Sequence, residues 1–486
     1  MTKNTKKNTN TITTVVALIA MAHFIIATVL FIQLLLMDIL PDKYLIAYGV
    51  AAVLFFFATM FSTLKPKLAI VMAVLSVIIG AILIYGILFF HKLDSTVEET
   101  SDTSQESYIL MDVLVLEDDA ATSLSDIANY SVGYLEADQA SEYVVDQIKT
   151  TLKTSPNFDT TETITNLAST LLDGTDGAII MEDTYLDVIS ELDGYEDFAD
   201  DVRILETFQI AESELESYEA ENVDQAISSG EGTFVVYLSG IDTYGSVSTK
   251  SRSDVNILAI VNQNTGKIQL INTPRDAYVL LPMGSSSYDK LTHAGIYGID
   301  VSMATLENLY GVDIDYYVRV NFTGFEDIID ALGGIDVDSE YSFTSKDGYS
   351  YASGTNHLYG AQALSFARER KAFSSGDLQR GKNQMAVIVG IIEKLQSAEM
   401  LTNYSSIMSS VSDCFQTNMS SDEIYDIVKQ QLDDGTVWEI STYTTTGTGT
   451  KAYTYSVPNK RAYVLELDDA SVEEAVELIK SCLDGE

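Results

Sequence analysis

"DVNILAIVNQNTGKIQLINTPRD", Asp254–Asp276, decides the fold of the C-terminal half of the chain. Its first ten residues alternate apolar and polar and predict a strand. "NTGK" is a turn signal, and "KIQLINTPRD" predicts the return strand. Upstream, "TFVVYLSGID" predicts a buried strand over Thr233–Ile241, joined to Asp254 by the Gly/Ser/Thr-rich loop "DTYGSVSTKSRS". Laid down as an antiparallel meander, the first strand ends at Asp242, the second begins at Asp254 on the same edge, and the third returns there at Arg275 and Asp276. Asp242, Arg252, Asp254, Arg275 and Asp276 are therefore expected to gather at one end of a sheet.

Two carboxylates at such an edge suit a hard, oxygen-seeking cation, Mg²⁺ or Mn²⁺. Arginines beside them suit phosphate, since guanidinium is permanently charged and binds oxygens in a fork. A salt-bridge network among the same groups is the competing reading at this point.

A second charged stretch lies downstream. "LSFARERKAFSSGDLQRGKNQ", Leu364–Gln384, holds five of the chain's 28 Lys and Arg: Arg368, Arg370, Lys371, Arg380 and Lys382. Against 71 Asp and Glu, for a formal net charge of −43, this concentration stands out. The acidity excludes general nucleic-acid binding, because most of the surface repels phosphate, and any attraction to an anion must be local. Arg368 and Arg370 are two apart and cannot share a helix face. For both to address one anion, the helix "LYGAQALSFA" must end near Ala367. "SSGD" then predicts a new helix with Asp377 as N-cap, placing Arg380 and Gln384 on one face. The apolar "MAVIVGIIEKL" that follows reads as core, or as a wall for a lipid tail.

The first 90 residues are nearly all apolar in three runs, Thr14–Met37, Tyr44–Phe61 and Leu68–Phe90, each near the roughly 20 residues a helix needs to cross a bilayer. Lys3, Lys6 and Lys7 before the first run, and Lys65 and Lys67 between the second and third, predict a cytoplasmic N-terminus. Everything after His91 is then extracellular, and the protein is a multi-pass protein of the plasma membrane. The expected organisation is a membrane domain over 1–92, an acidic linker over 93–107, a small α/β accessory domain over 108–210, a polar, helix-rich join over 211–232, and a catalytic domain over 233–486. In the accessory domain "YILMDVLVL" and "GAIIMED" predict strands, "ASEYVVDQIKTTL" and "TYLDVISEL" predict helices, and no catalytic constellation is visible. Cys414 and Cys482 are too few for a disulfide framework and lack zinc spacing, and the sequence does not decide whether they pair.

"GID", "RSD", "TPRDAYVLLP", "YDKLTHAGIYG", "VNFTGFEDIIDALGGIDVD" and "ALSFARERKAFSSGDLQRGKNQ" resemble, in order, the motifs of the LytR-CpsA-Psr family. Residues 108–210 are similar, more loosely, to the accessory domain of its capsule-type members, which also carry three spans. The resemblance implies an α/β/α sandwich around a mixed central sheet. It implies a phosphotransferase that moves a capsule or other glycopolymer from a polyprenyl-pyrophosphate carrier onto peptidoglycan. It assigns Mg²⁺ to Asp242 and Asp254. Arg252, Arg275, Arg368, Arg370 and Arg380, with Gln384, would contact or shape the pyrophosphate site, supported by Asp276 and Asp377. The prenyl tail would lie in an apolar tunnel between sheet and helices, and membrane proteins of capsule synthesis would be partners.

Two alternatives accompany this expectation. One is a membrane-anchored regulator or attenuator, although a cytoplasmic tail of about 13 residues holds no DNA-binding fold. The other is a hydrolase of the same lipid pyrophosphate. For the general base, His23 and His91 belong to the membrane segment, while His293 and His357 lie in neither charged stretch. A carboxylate near the metal, Asp254 or Asp276, is the expected proton acceptor, in a role that a loose transition state makes minor.

Overall fold

The computed structural model describes residues 2–100, 107–136, 138–152, 155–215, 226–243, 247–283, 287–396 and 414–485. The chain forms two compact units. The first holds three helices, α1 (Thr2–Met37), α2 (Asp42–Ser62) and α3 (Pro66–Thr100). Within them Thr13–Met37, Asp42–Ser62 and Pro66–Ser95 are long and apolar enough to cross a membrane. The predicted linker is thus partly helix. α3 continues through its first residues to Thr100, because the acidic sequence there contains no Gly or Pro to stop it, and 101–106 fall outside the described residues.

A further helix, Ser421–Asp434, belongs to this unit although it lies inside the stretch assigned to the catalytic domain. It starts in a capping box of Ser420 and Glu423 and ends at Gly435 in the left-handed region. Ile424, Tyr425 and Val428 pack against Met37, Ile39, Leu45 and Leu93. The Tyr425 hydroxyl donates to Asp94 at 3.0 Å, and Lys429 and Lys43 pair with Asp38 and Asp433 at 2.6 and 2.7 Å.

The second unit contains two α/β sandwiches. In the accessory domain β1 (Tyr108–Leu116), β2 (Ser131–Leu135), β3 (Asn157–Thr161), β4 (Ala178–Glu182) and β5 (Val202–Ala211) form a mixed sheet in the order β3-β2-β4-β1-β5. Period-two alternation sends Met111, Val113 and Val115 to the face covered by α4 (Gln139–Thr151) and Leu114 to the face covered by α5 (Ile164–Leu172). α6 (Thr184–Ser190) and α7 (Phe198–Asp201) complete the domain. Of the polar join that follows, 216–225 lie outside the described residues.

The catalytic domain is built on six strands. β6 (Thr233–Ile241), β7 (Ser253–Asn262) and β8 (Lys267–Asn272) form the expected antiparallel meander. β9 (Tyr278–Leu280) and β10 (Tyr288–Lys290) make a separate hairpin that leads into α8 (Leu291–Tyr297) and α9 (Ile299–Tyr310). β11 (Tyr316–Val320) adds parallel to β6 and is followed by α10 (Phe322–Ala331). β12 (Ile335–Ser339), β13 (Phe343–Thr344), β14 (Ser350–Tyr351) and β15 (Gly354–Leu358) pair among themselves. α11 (Gly360–Arg368) and α12 (Asp377–Leu395) follow. β16 (Phe415–Thr417) and β17 (Glu439–Thr444) close the sheet in the order β16-β11-β6-β7-β8-β17. β18 (Gly447–Tyr453) and β19 (Arg461–Leu467) form a last hairpin before the C-terminal helix Asp469–Asp484.

Alternation again fills both faces. Val235, Tyr237, Leu258, Ile260 and Ile271 pack under α8, α9 and the C-terminal helix. Val236, Ile257, Ala259 and Leu270 face Met385, Ile388 and Ile392 of α12. The fold is therefore an α/β/α sandwich around a mixed sheet. Cys414 and Cys482 are both buried and are not joined in a disulfide.

Candidate active site

The meander brings Asp242, Asp254 and Arg275 to one sheet edge, and local backbone features aim them. Gly240 pairs with Val255 and Ile241 with Ser253, so Asp254 is the extra residue of a β-bulge. A Cβ on Gly240 would stand 2.6 Å from Val255 Cγ2, so the residue beside the bulge must be glycine. Arg275 follows β8 in a turn closed by Ala277 N–H on Pro274 O, and its own carbonyl accepts from Thr292 N–H at 2.9 Å.

On the other side of the cavity α11 ends at Arg368 and Glu369 turns extended, with φ −70° and ψ 127°. The Glu369 carboxylate accepts from Lys346 N–H at 2.7 Å and Ala372 N–H at 2.9 Å, which pins the Arg368–Arg370 segment. Asp377 is the first residue of α12 and not its N-cap. Gly376 holds the cap position with φ +52°, which favours glycine. Freed from capping, Asp377 meets Arg380 at 2.9 Å and Arg370 at 4.0 Å.

The cavity between these walls has a volume of about 500 Å³. Seven of the chain's 28 Lys and Arg line it, against five of its 71 Asp and Glu, so the acidic balance of the whole chain is reversed there. Ile241, Val255, Val320, Phe322, Phe325 and Leu364 give it an apolar wall. Among the charged residues predicted for the site, Asp242, Arg252, Asp254, Arg275, Arg368, Arg370 and Arg380 line the cavity, with Gln384. Asp276 and Asp377 stand behind it, each bound to a cation of the cluster. The apolar wall of this cavity lies toward α10 and α11.

The cations fall into two groups. Arg252, Arg275 and Arg380 are 5–8% exposed and held by carboxylates. Arg275 Nη1 donates to both Asp254 oxygens at 2.8 and 2.9 Å, and Arg252 Nη2 reaches Asp242 at 2.9 Å. Arg368 and Arg370 are nearly half exposed, at 48% and 47%, and their nearest carboxylates are 3.9 and 4.0 Å away. The Arg368 guanidinium lies 4.1 Å over the Phe322 ring. A fixed floor and an open lip of guanidinium result. Arg275 Nε is buried with no hydrogen-bond partner among the described residues, a donor still to be satisfied.

The carboxylates divide as well. Burial would raise Asp254, but Arg275, Arg380 and Arg252 together hold it well below the usual range. Burial and the neighbouring Asp254 charge push Asp242 up, against Arg252. Asp254 is thus clamped as an anion, and Asp276 is tied to Lys290 at 3.1 Å.

Sequence reasoning missed three participants. Lys290, 4% exposed, joins the cluster from β10, and Asp187 and Glu191 reach it from the accessory domain. Asp187 and Glu191 carry like charge four residues apart on "TYLDVISEL", an unfavourable helix pairing, and Glu191 stands at the C-terminal end, where an acid opposes the helix dipole. That pairing was the signal in the sequence.

His293 stands apart from the cavity. Its Nδ1 lies 2.7 Å from Asp289 Oδ1 and 2.9 Å from Ser456 Oγ, in a buried group whose other links are Ser456 N–H and Lys290 N–H to Asp289. Serine and aspartate meet the same ring nitrogen, so the imidazole cannot relay a proton between them. His293→Ala is expected to lower stability by ~1–3 kcal/mol, the cost of buried groups left unpaired, while turnover per folded molecule is kept. His357, exposed beside Asp336, is expected to be silent. Thermal melts and rates on the same samples check both, and a hundredfold rate loss without loss of stability would establish histidine catalysis.

Comparison with known proteins places these residues in context. The LytR_cpsA_psr family model matches residues 203–471. A polyisoprenyl-teichoic acid–peptidoglycan teichoic acid transferase TagU of Bacillus anthracis is 38% identical over 213 residues, 44% of this chain and 69% of the relative. Its namesake from Enterococcus faecalis is 37% identical over 212 residues, 43% of this chain and 69% of the relative. The crystal structure of B. subtilis TagV aligns with a TM-score of 0.45 at 28% identity, over 52% of this chain and 98% of that one.

Proposed function

The chain belongs to the LytR-CpsA-Psr family, whose model covers more than half of it, and from that premise we infer that it transfers a glycopolymer from a polyprenyl-pyrophosphate carrier to peptidoglycan. The observation that carries this reading is the reversal of charge in the cavity: a strongly acidic chain collects guanidinium beside an apolar wall. A polyprenyl pyrophosphate is an anion on a hydrocarbon and needs both.

In the reaction the acceptor hydroxyl oxygen attacks the phosphorus that bears the glycopolymer. A new P–O bond forms and the P–O–P bond to the carrier breaks. Polyprenyl monophosphate leaves with the electron pair, and the hydroxyl proton passes to solvent or a carboxylate. Arg368 and Arg370, open at the lip, receive the incoming anion. Arg275, Arg252 and Arg380, already fixed, face the charge that shifts onto the bridging oxygen and cost no reorganisation at that moment. Phosphoryl transfer through a loose transition state asks for positioning and charge stabilisation more than for a base.

Mg²⁺ dependence is part of the proposal. Asp242 and Asp254 are two oxygen donors whose mutual repulsion a divalent cation would relieve. Among the described residues there is no cluster of three or more metal-ligating side chains. That suits Mg²⁺, which is commonly held by one or two carboxylates plus substrate phosphate and water. When bound, the ion would neutralise charge on the phosphate oxygens.

Three apolar helices anchor the protein in a membrane. The lysines at the N-terminus and between α2 and α3 support a cytoplasmic N-terminus, which puts the catalytic domain outside. The test uses the full chain in detergent with a polyprenyl-pyrophosphate-linked oligosaccharide, with and without peptidoglycan. Phosphodiester-linked product on peptidoglycan is expected. Release of free phosphorylated glycan alone would establish a hydrolase, and no reaction would favour the regulator.

A further inference from the structure

We propose that Glu191, carried by the accessory domain, is a positioning residue of the transfer reaction. The proposal rests on the transfer reading of the site. Glu191 follows the last turn of α6 and, among the described residues, is the one carboxylate that touches three of the site's cations. Its Oε1 accepts from Arg252 Nη1 at 3.1 Å and from Arg275 Nη2, and its Oε2 accepts from Lys290 Nζ at 2.8 Å. Asp242, Asp254 and Asp276 each hold a subset of the three.

Three cations 4–5% exposed repel one another at close range, with little water to screen them. A shared carboxylate converts that repulsion into a fixed triangle. Arg275 is then held between Glu191 and Asp254 without searching rotamers, and Arg252 is held between Glu191 and Asp242. Glu191 works through these groups and not on the substrate, because a carboxylate repels a phosphate. Both of its oxygens are engaged by Arg252, Arg275 and Lys290. Asp187 adds a contact to Arg252 at 2.6 Å but is more than half exposed and touches no other cation. The accessory domain is therefore part of the reaction site, and the arginine floor is incomplete without it.

Glu191→Gln keeps the shape and removes the charge. In the full chain, with a polyprenyl-pyrophosphate-linked oligosaccharide and peptidoglycan, kcat is expected to fall about 10–100-fold, the usual effect of losing a group that orients reactive ones. The donor KM should change less than about threefold if Arg368 and Arg370 make the first contact. The melting temperature is read on the same sample, and a role in structure alone would move it without moving kcat per folded molecule. Turnover equal to wild type overturns the proposal. So does turnover above wild type, which would mean that Glu191 competes with the pyrophosphate. If Gln does not fold, Glu191→Asp keeps the charge but withdraws it by one methylene. It should still lose several-fold in kcat, and unchanged turnover overturns the proposal equally. An inactive wild type under these conditions would sink the transfer reading, whereas an active wild type with an unaffected Glu191 variant sinks only this inference.

Discussion

Arg275→Ala is expected to reduce transfer by at least about 10²–10³-fold, corresponding to ~2.7–4 kcal/mol for a lost preorganised donor to developing charge. The residue is 5% exposed, and its guanidinium is shared by Asp254 and Glu191. Removing it therefore takes away a donor and leaves Asp254 with Arg380 alone, at 3.6 Å, while Glu191 keeps Arg252 and Lys290. Those acids, with Asp276 and Asp377, keep the Arg275 pKa above its ordinary value against the opposing effect of burial, so it is a cation throughout the accessible pH range. Arg275→Lys should not restore the rate. A point charge cannot span both oxygens of Asp254 and also reach Glu191. Rates of the Ala and Lys variants, each corrected for folded fraction by thermal melt, decide the matter. A lysine enzyme within a few-fold of wild type would mean that charge alone suffices and geometry does not.

Asp254→Ala should abolish transfer and also destabilise the domain. Asp254 sits in the bulge with 15% of its side chain exposed and is bound to Arg275, with Arg380 at 3.6 Å and the Thr292 hydroxyl at 3.2 Å. Losing one partner of a buried pair costs ~3–5 kcal/mol because the other charge remains. Asp242→Ala should abolish Mg²⁺-supported transfer at a smaller cost in stability, since Arg252 keeps Asp187 and Glu191. The folded-state pKa of Asp254 is depressed, so its stabilisation is fully present above its unfolded value of about 4 and is lost as the pH falls below that. The Asp254 variant should accordingly show a flatter acid limb in melting temperature than wild type. Calorimetric Mg²⁺ titration of both variants checks the ligand assignment, and undiminished binding in both would end it.

The meander could be read from sequence because antiparallel pairing is local. Alternation in β6–β8 and one turn signal are enough to bring Asp242, Asp254 and Arg275 to one edge. The bulge could not be read, since it depends on a one-residue mismatch between two strands that looks like ordinary alternation in either one. The Arg368–Arg370 break was legible from spacing alone, whereas the N-cap was misplaced by one residue because Asp377 was needed for ion pairs with Arg380 and Arg370. Lys290, Asp187 and Glu191 escaped for a different reason. Contacts between domains leave no periodicity in either partner, and only the like-charge pair four residues apart on α6 and its C-cap marked Asp187 and Glu191.

The parallel pair β8–β17 has a consequence for how the protein is made. Gln269 in β8 meets Ser441 in β17 across 172 residues, and Asn262 at the end of β7 donates to the Cys482 carbonyl across 220. The reactive groups of the meander leave the ribosome early, but the strand that seals their sheet and the helix that covers its face are synthesised last. At ~5–20 residues per second, roughly 10–40 s separate the two events. Throughout that interval one sheet edge and an apolar face built from Val235, Leu258, Ile260 and Ile271 await their cover. A nascent chain in that state is a client for holdase chaperones, and its yield depends on the pace of translation as well as on the stability of the finished fold.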